Sequence, residues 1–160
     1  MSIAYSIVDA KLWHCGAMSR KLCAGRWLAY KAAGIDAKAQ LRGLWAASIV
    51  RRSCLIDGRL VAIWGLTGTI LARTGHVWLV IAPEAAEHPR ELVREVRAQI
   101  AEFSRDRTLR ATVAMQDGTA LRFARFLGFI EDDDEEQVEK ARKFSESGLS
   151  VVQMVLRAGG

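Results

Sequence analysis

Few side chains in this 160-residue chain combine reactive chemistry with a setting in which to use it. Three histidines (His14, His76, His88), three cysteines (Cys15, Cys23, Cys54) and an acidic run from Glu131 to Glu136 are the groups to weigh. An imidazole titrates close to neutrality and can move a proton at physiological pH. His76 heads the apolar stretch HVWLVIA and is the candidate general base; the alternative is a strand-end histidine that is exposed or caps a carbonyl. Asp117 stands before Gly118-Thr119-Ala120, so its carboxylate is either a proton-transfer group or an N-cap accepting from the N–H groups of the next turn. His14 and Cys15 are neighbours on a helical pattern, where adjacent side chains diverge. Ser53-Cys54 has no histidine at a recognisable distance along the chain, so neither pair reads as a nucleophile with its base. No H-x-x-x-H or CxxC spacing occurs, and the run at 131–136 lacks the alternating ligands and central glycine of a calcium loop; no metal is expected.

Composition bounds the rest. A 160-residue chain that is 51% hydrophobic holds one core, so residues 1–160 are expected to form a single domain. An odd number of unspaced cysteines fits a reducing compartment. The opening MSIAYSIVDAKLW has no basic segment followed by an apolar one, and no run approaches the roughly 18 apolar residues of a membrane span, so a soluble, unexported protein without membrane contact is expected. The net charge of +5 is uneven: residues 1–130 carry 19 basic and 10 acidic side chains, residues 131–160 carry 4 and 8. A basic body with an acidic patch fits nucleic-acid contact, docking within an assembly, or plain surface solvation.

The elements that would position these groups follow from periodicity. Residues 3–8 read as an edge strand. Residues 11–33 read as a helix with Leu12, Cys15, Leu22, Cys23, Trp27 and Tyr30 on one stripe, stopped by Gly34. Asp36 is the expected N-cap of a second helix whose stripe is Ala37, Leu41, Leu44, Trp45 and Ile49. Asp57-Gly58 between two apolar runs predicts a hairpin over 53–66, because both residues tolerate positive φ. A central strand is expected at 76–82, apolar almost throughout and so buried on both faces. An amphipathic helix follows, with Leu92, Val96, Ile100 and Phe103 on one side and Arg90, Arg94 and Arg97 on the other. Then come a strand at 108–115, a turn at 116–119, a short helix ending at Gly128, and a last strand at 150–158. The acidic stretch 131–148 is expected to be a solvated, mobile loop or a short helix.

This order resembles the acyl-CoA N-acyltransferase (GNAT) superfamily. DGTALRFARFLGF at 117–129 is similar to its N-x-x-A-x-x-L-Y-x-x-x-G-F pattern, with Asp117, Ala120, Phe123, Gly128 and Phe129 in the corresponding places. Residues 5–130 further resemble the small GNAT-like proteins of short-tailed bacteriophages: the tryptophan-rich start, RRS at 51–53 before IDGRLVAIWGL, HVWLVIAPE, HPREL and the A-L-R-F-x-R-F-L-G-F segment. That group includes internal virion proteins and acetyltransferase-like proteins. The resemblance implies an α+β fold, a mixed central sheet flanked by helices, and acetyl-CoA as cofactor. By position it assigns cofactor contacts to Val80, Ile81, Ala82, Ala86, Glu87, His88, Arg90 and Arg94.

Acyl transfer needs a phosphate cradle, a grip on the thioester arm, and proton transfer. The family cradle is a Q/R-x-x-G-x-G/A loop; here Ala86-Glu87-His88-Pro89-Arg90 has no glycine, Pro89 lacks an N–H, and Glu84 and Glu87 bring negative charge. Arg90 and Arg94 offset this in part, since guanidinium pairs well with phosphate. The family tyrosine that protonates the departing thiolate aligns with Ala124, which has no proton to give. His76 and Asp117 are the titratable residues placed to substitute. The reading is therefore a phage GNAT-like protein with a degenerate acetyl-CoA site, acting without catalysis in the virion or its assembly beside other phage proteins, in the particle or the host bacterial cytoplasm. One alternative is an active acetyl-CoA-dependent N-acetyltransferase on a protein or small amine. The other is a nucleic-acid-associated module acting through the basic residues at 11–52.

Overall fold

Asp57 and Gly58 both adopt positive φ, 50° and 77°, and close the tight hairpin expected of them. The flanking strands are longer than the pattern alone predicts: β2 is Ser48–Ile56 and β3 is Arg59–Thr67. A computed structural model describes residues 4–22, 30–31, 33–69, 71–115, 118–146 and 150–159, and in it this hairpin is the start of a seven-stranded sheet. The other strands are β1 (Tyr5–Asp9), β4 (Thr74–Ile81), β5 (Thr108–Ala114), β6 (Ile130–Glu131) and β7 (Val151–Leu156), and the order across the sheet is β1-β2-β3-β4-β5-β7-β6. All neighbours are antiparallel except β4 and β5, which run parallel and pair only over Thr74–His76 and Thr108–Arg110. A parallel pair needs a crossover. Helix α3 (Pro89–Phe103) supplies it, burying Leu92, Val96, Ile100 and Phe103, the four residues of its predicted stripe.

The sheet has a core on each face because side chains alternate along its strands. In β4, Val77, Leu79 and Ile81 join the cluster under α3 and α4 (Gly118–Phe126), while Trp78 and Val80 turn the other way, onto α1 (Leu12–Ser19) and α2 (Ala37–Ala47). Asp36 caps α2, accepting from the N–H groups of Lys38 and Ala39 at 3.1 and 3.3 Å. Gly128, with φ 101°, ends the turn after α4; Phe129 N–H donates to the Ala124 carbonyl and Gly128 N–H to that of Arg125, a left-handed helix stop.

Three expectations need correction. The helix predicted over 11–33 is interrupted: a first helix stops at Ser19, whose hydroxyl donates to the Gly16 carbonyl at 2.7 Å and competes with the helical ladder, and residues 30, 31 and 33 are helical again before the expected stop at Gly34, φ 68°. Its stripe shifts too: Leu12 is exposed and Met18 is buried in its place, while Cys23 and Trp27 lie outside the described residues. Ile49 belongs to β2 rather than to the second helix. Of the two expectations for the acidic stretch, the short helix forms and the solvated loop does not. Glu131 closes β6, Asp132 is buried against Arg110 at 3.0 Å, Asp133 meets Arg157 at 3.3 Å, and Asp134 caps helix α5 (Glu135–Ser145). Glu135 and Glu136 then sit in its first turn, where carboxylates oppose the positive end of the helix dipole.

Gly65 shows how tightly β3 and β4 fit. The Trp78 indole crosses it to donate to Ser48 Oγ at 2.7 Å, and that hydroxyl donates on to the Leu44 carbonyl at 2.6 Å. A Cβ at position 65 would lie 2.6 Å from Trp78 Nε1 and 2.7 Å from the backbone oxygen of Val50. Gly65→Ala is therefore expected to destabilise by about 1–3 kcal/mol in urea unfolding. Gly43→Ala, in the interior of α2 with nothing within 4 Å of the new Cβ, should stabilise by roughly 0.5–1 kcal/mol.

Candidate functional site

Beyond His76 and Arg110 the ladder between β4 and β5 ends, and the two strands part. Each keeps its outer neighbour, β4 bonding β3 as far as Ile81 and β5 bonding β7 as far as Ala114, so the parting opens a gap within an otherwise intact sheet. A cavity of about 370 Å³ fills the gap, within the range of small-molecule sites. Leu79 and Ile81 of β4 and Ala111 and Val113 of β5 form its sides. From one face α4 closes it with Ala120, Phe123 and Ala124; from the other come Gln40 and Leu44 of α2, Tyr30, and Lys140 and Phe144 of α5. The cavity is thus lined from both sides of the sheet.

Its polar groups are few and placed. His76 lines it, and burial lowers the imidazole pKa, which leaves the ring neutral near pH 7 with a lone pair to take a proton. Thr112 Oγ1 donates to Gln153 Oε1 at 2.8 Å across the β5–β7 ladder, so the Gln153 amide nitrogen keeps its two N–H donors for another partner. Next to His76 along the sheet, Arg110 Nε donates to the buried Asp132 carboxylate. Ala124 stands on the cavity wall without a functional group.

The segment after β4 runs into a short 3-10 turn, Pro83–Glu87, and then into α3. Val80 and Ala82 are buried in the core, and the Ala82 N–H is used by the Val61 carbonyl at 2.8 Å. The His88 N–H is likewise used, by the Ala85 carbonyl at 3.1 Å. The backbone N–H groups at these two positions are therefore engaged, the first by β3 and the second by the turn. The negative charge foreseen here is countered: Glu84 pairs with Lys21 at 3.3 Å and Glu87 lies 3.9 Å from Arg59. Along α3 a shallow groove is lined by Arg90, Arg94, Arg97 and the exposed Phe126, with the Arg97 guanidinium 5.7 Å from that ring. Arg94 is shared with Tyr5 and Glu95; Arg90 and Arg97 have no ion-pair partner among the described residues.

Of the residues singled out in the sequence, the structure brings His76 and Ile81 to the cavity and Arg90 and Arg94 to the groove. Asp117 lies outside the described residues. Tyr30, Gln153, Thr112 and Lys140 were missed, since each reaches the cavity from a different element. Of the basic residues at 11–52, Lys21 pairs with Glu84, Arg52 with Asp9 at 2.6 Å, and Arg51 stacks 3.7 Å over the Trp45 ring.

The reading that Ser53 has no histidine partner is also corrected. Ser53 Oγ lies 2.8 Å from His14 Nδ1, which also accepts the Lys11 N–H at 2.9 Å, so Nδ1 is an acceptor and the ring proton sits on Nε2. With 3% of His14 and 0% of Ser53 exposed, the pair is sealed from any substrate and fastens α1 to β2. Burial pushes both neighbouring thiols upward, Cys54 to about 11, so both stay protonated and inert.

No family model matches this chain, and no curated protein matches it. Solved structures match its fold. The ribosomal-protein-S18-alanine N-acetyltransferase of Escherichia coli superposes with a TM-score of 0.65 at 11% identity, covering 98% of this chain and 96% of that one. The PaiA N-acetyltransferase of Thermoplasma acidophilum, solved with coenzyme A, gives 0.62 at 17% identity, covering 98% and 99%. The N-acetylglutamate synthase of Neisseria gonorrhoeae, solved with coenzyme A and N-acetyl-glutamate, gives 0.66 at 20% identity, covering 98% of this chain and 36% of that longer one. The likeness is one of fold: the chain has the α+β fold of the GNAT acetyltransferases.

Two imidazoles, one buried and one half-buried, set a pH dependence. Burial holds His14 and His76 below the ordinary value near 6.5, with the Lys11 charge adding to the effect on His14. The unfolded chain then takes up protons before the folded one, so stability is complete above about pH 6.5 and falls as pH drops from there toward the folded values. Urea midpoints should be lower near pH 5.5 than near pH 7.5, and His76→Asn should narrow the difference.

Proposed function

We propose that this protein binds an acyl-coenzyme A in the parting of β4 and β5 and transfers the acyl group to an amine. The observation that carries the reading is the cavity lined from both faces of the sheet, which lets two reactants meet from opposite sides. The fold supports it, since the Thermoplasma and Neisseria proteins of the same fold were solved with coenzyme A.

The residues present fit such a ligand. Leu79, Ile81, Ala120 and Phe123 make a slot for an alkyl arm and exclude water. The groove of Arg90, Arg94 and Arg97 takes the phosphate end, with guanidinium groups doing the work of the absent glycine loop. When bound, acetyl-CoA supplies an acetyl group activated as a thioester. His76, neutral near pH 7, takes the proton from the acceptor nitrogen, and Gln153, its amide oxygen held by Thr112, directs N–H donors at the acceptor or the acyl oxygen. Asp117 stays as a second proton-transfer candidate.

Ala124 favours a second reading. An alanine on the cavity wall cannot protonate a thiolate, which supports a protein that binds without catalysis, as a virion-associated or assembly component of a bacteriophage. The two readings separate in solution. Acetyl-CoA at 100 times its dissociation constant should stabilise the fold by about 2.7 kcal/mol in thermal unfolding. Replacing both Arg90 and Arg97 by alanine should weaken binding about tenfold, the loss of roughly one charge-assisted contact. No stabilisation at about millimolar acetyl-CoA would overturn the acyl-CoA reading, and co-purification with phage particles would then support the second.

A further inference from the structure

The acceptor side of the cavity is roofed by the protein's own helix. Helix α5 is held in place by its Asp134 cap, which accepts from the N–H groups of Glu136 and Gln137, and by Ala141, which packs with Ala33 and Ile35 around Val151. Lys140 and Phe144, one turn apart, face the cavity from this roof. Among the described lysines only Lys140 lines it.

The rest of the lining sharpens the point. An amine acceptor arrives as a cation, and carboxylates are what would draw it in. The cavity's lining contains no aspartate or glutamate among the described residues; its other polar groups are Tyr30, Gln40, His76, Thr112, Thr119 and Gln153. The site is poorly matched to a free cationic amine, and it already contains a primary amine of its own.

We propose that Lys140 is an acceptor of the acyl group carried by this site, so that the protein acylates its own roof helix. The inference rests on the acyl-CoA reading above. Lys140 Nζ lies 3.5 Å from Glu136 Oε1, and both side chains are more than half exposed, so the pair is weak and the ammonium is readily released. One proton leaves the ammonium to solvent by way of the Glu136 carboxylate. The neutral Nζ then attacks the carbonyl carbon of the acyl thioester; a C–N bond forms, the C–S bond breaks, and His76 takes the second nitrogen proton and yields it to the departing sulfur, which becomes the coenzyme A thiol. Acylation removes the charge that pairs with Glu136, so it also alters the roof over the cavity.

Two measurements on the full chain test this. After incubation with acetyl-CoA, peptide mass spectrometry should find an acetyl group on Lys140 at about ten times the occupancy of Lys143, or more, as expected for an amine held beside its donor. The rate should not depend on protein concentration, and Lys140→Arg should abolish the signal. Separately, a small amine-reactive reagent should modify Lys140 about tenfold more slowly when coenzyme A is present, with Lys143 unaffected. Stabilisation by acetyl-CoA with Lys140 acetylated no more than Lys143 would overturn the proposal while leaving the acyl-CoA reading in place. Absence of both stabilisation and protection would overturn the two together.

Discussion

Three residue pairs join β4 to β5, and the place where that ladder stops governs the rest of the molecule. Backbone N–H and C=O groups buried without partners are costly, so a sheet interrupted at its centre needs each half to be secure by itself. The first half is secured by the antiparallel run β1 to β4, tied to α2 through Trp78, Ser48 and Leu44. The second is secured by β5, β7 and β6, with the buried Arg110–Asp132 pair set across them near the apex of the gap. Removing one partner of a buried ion pair costs about 3–5 kcal/mol, so this pair ties the end of β6 to β5 within the second half.

The chemistry follows from that opening. Because side chains alternate along β4, His76 falls on the face of α1 and α2 while Leu79 and Ile81 fall on the face of α3 and α4. On the reading proposed above, the proton-transfer group and the wall for the alkyl arm thus come from one strand. The N–H groups of Ala82 and His88 are engaged within the chain, and cationic side chains line the neighbouring groove. Ala124 brings no titratable group to that wall, so on the acyl-transfer reading proposed above His76, on the opposite face, is the proton-transfer group.

Features set by neighbours along the chain are legible in the sequence itself. The Asp57-Gly58 turn, the Asp36 cap and the four-residue stripe of α3 depend on local sterics and a single period, and each is where the pattern puts it. The acidic run is legible as charge but not as structure, because what it does depends on Arg110 and Arg157, far along the chain. His14 and Ser53 meet across 39 residues, a distance no motif encodes. The parting of β4 and β5 leaves no trace either. HVWLVIA is equally apolar whether its edge meets a strand or a cavity, so periodicity does not place the opening.

The central claim is that this gap is a ligand slot rather than a packing defect. A crystal structure of the protein with a non-hydrolysable acetyl-CoA analogue tests it directly. The predicted result is the thioester arm lying between Leu79 and Ala111, with the phosphates at Arg90 and Arg97. A ligand bound elsewhere on the surface, or β4 and β5 closed against each other with no ligand between them, would contradict it.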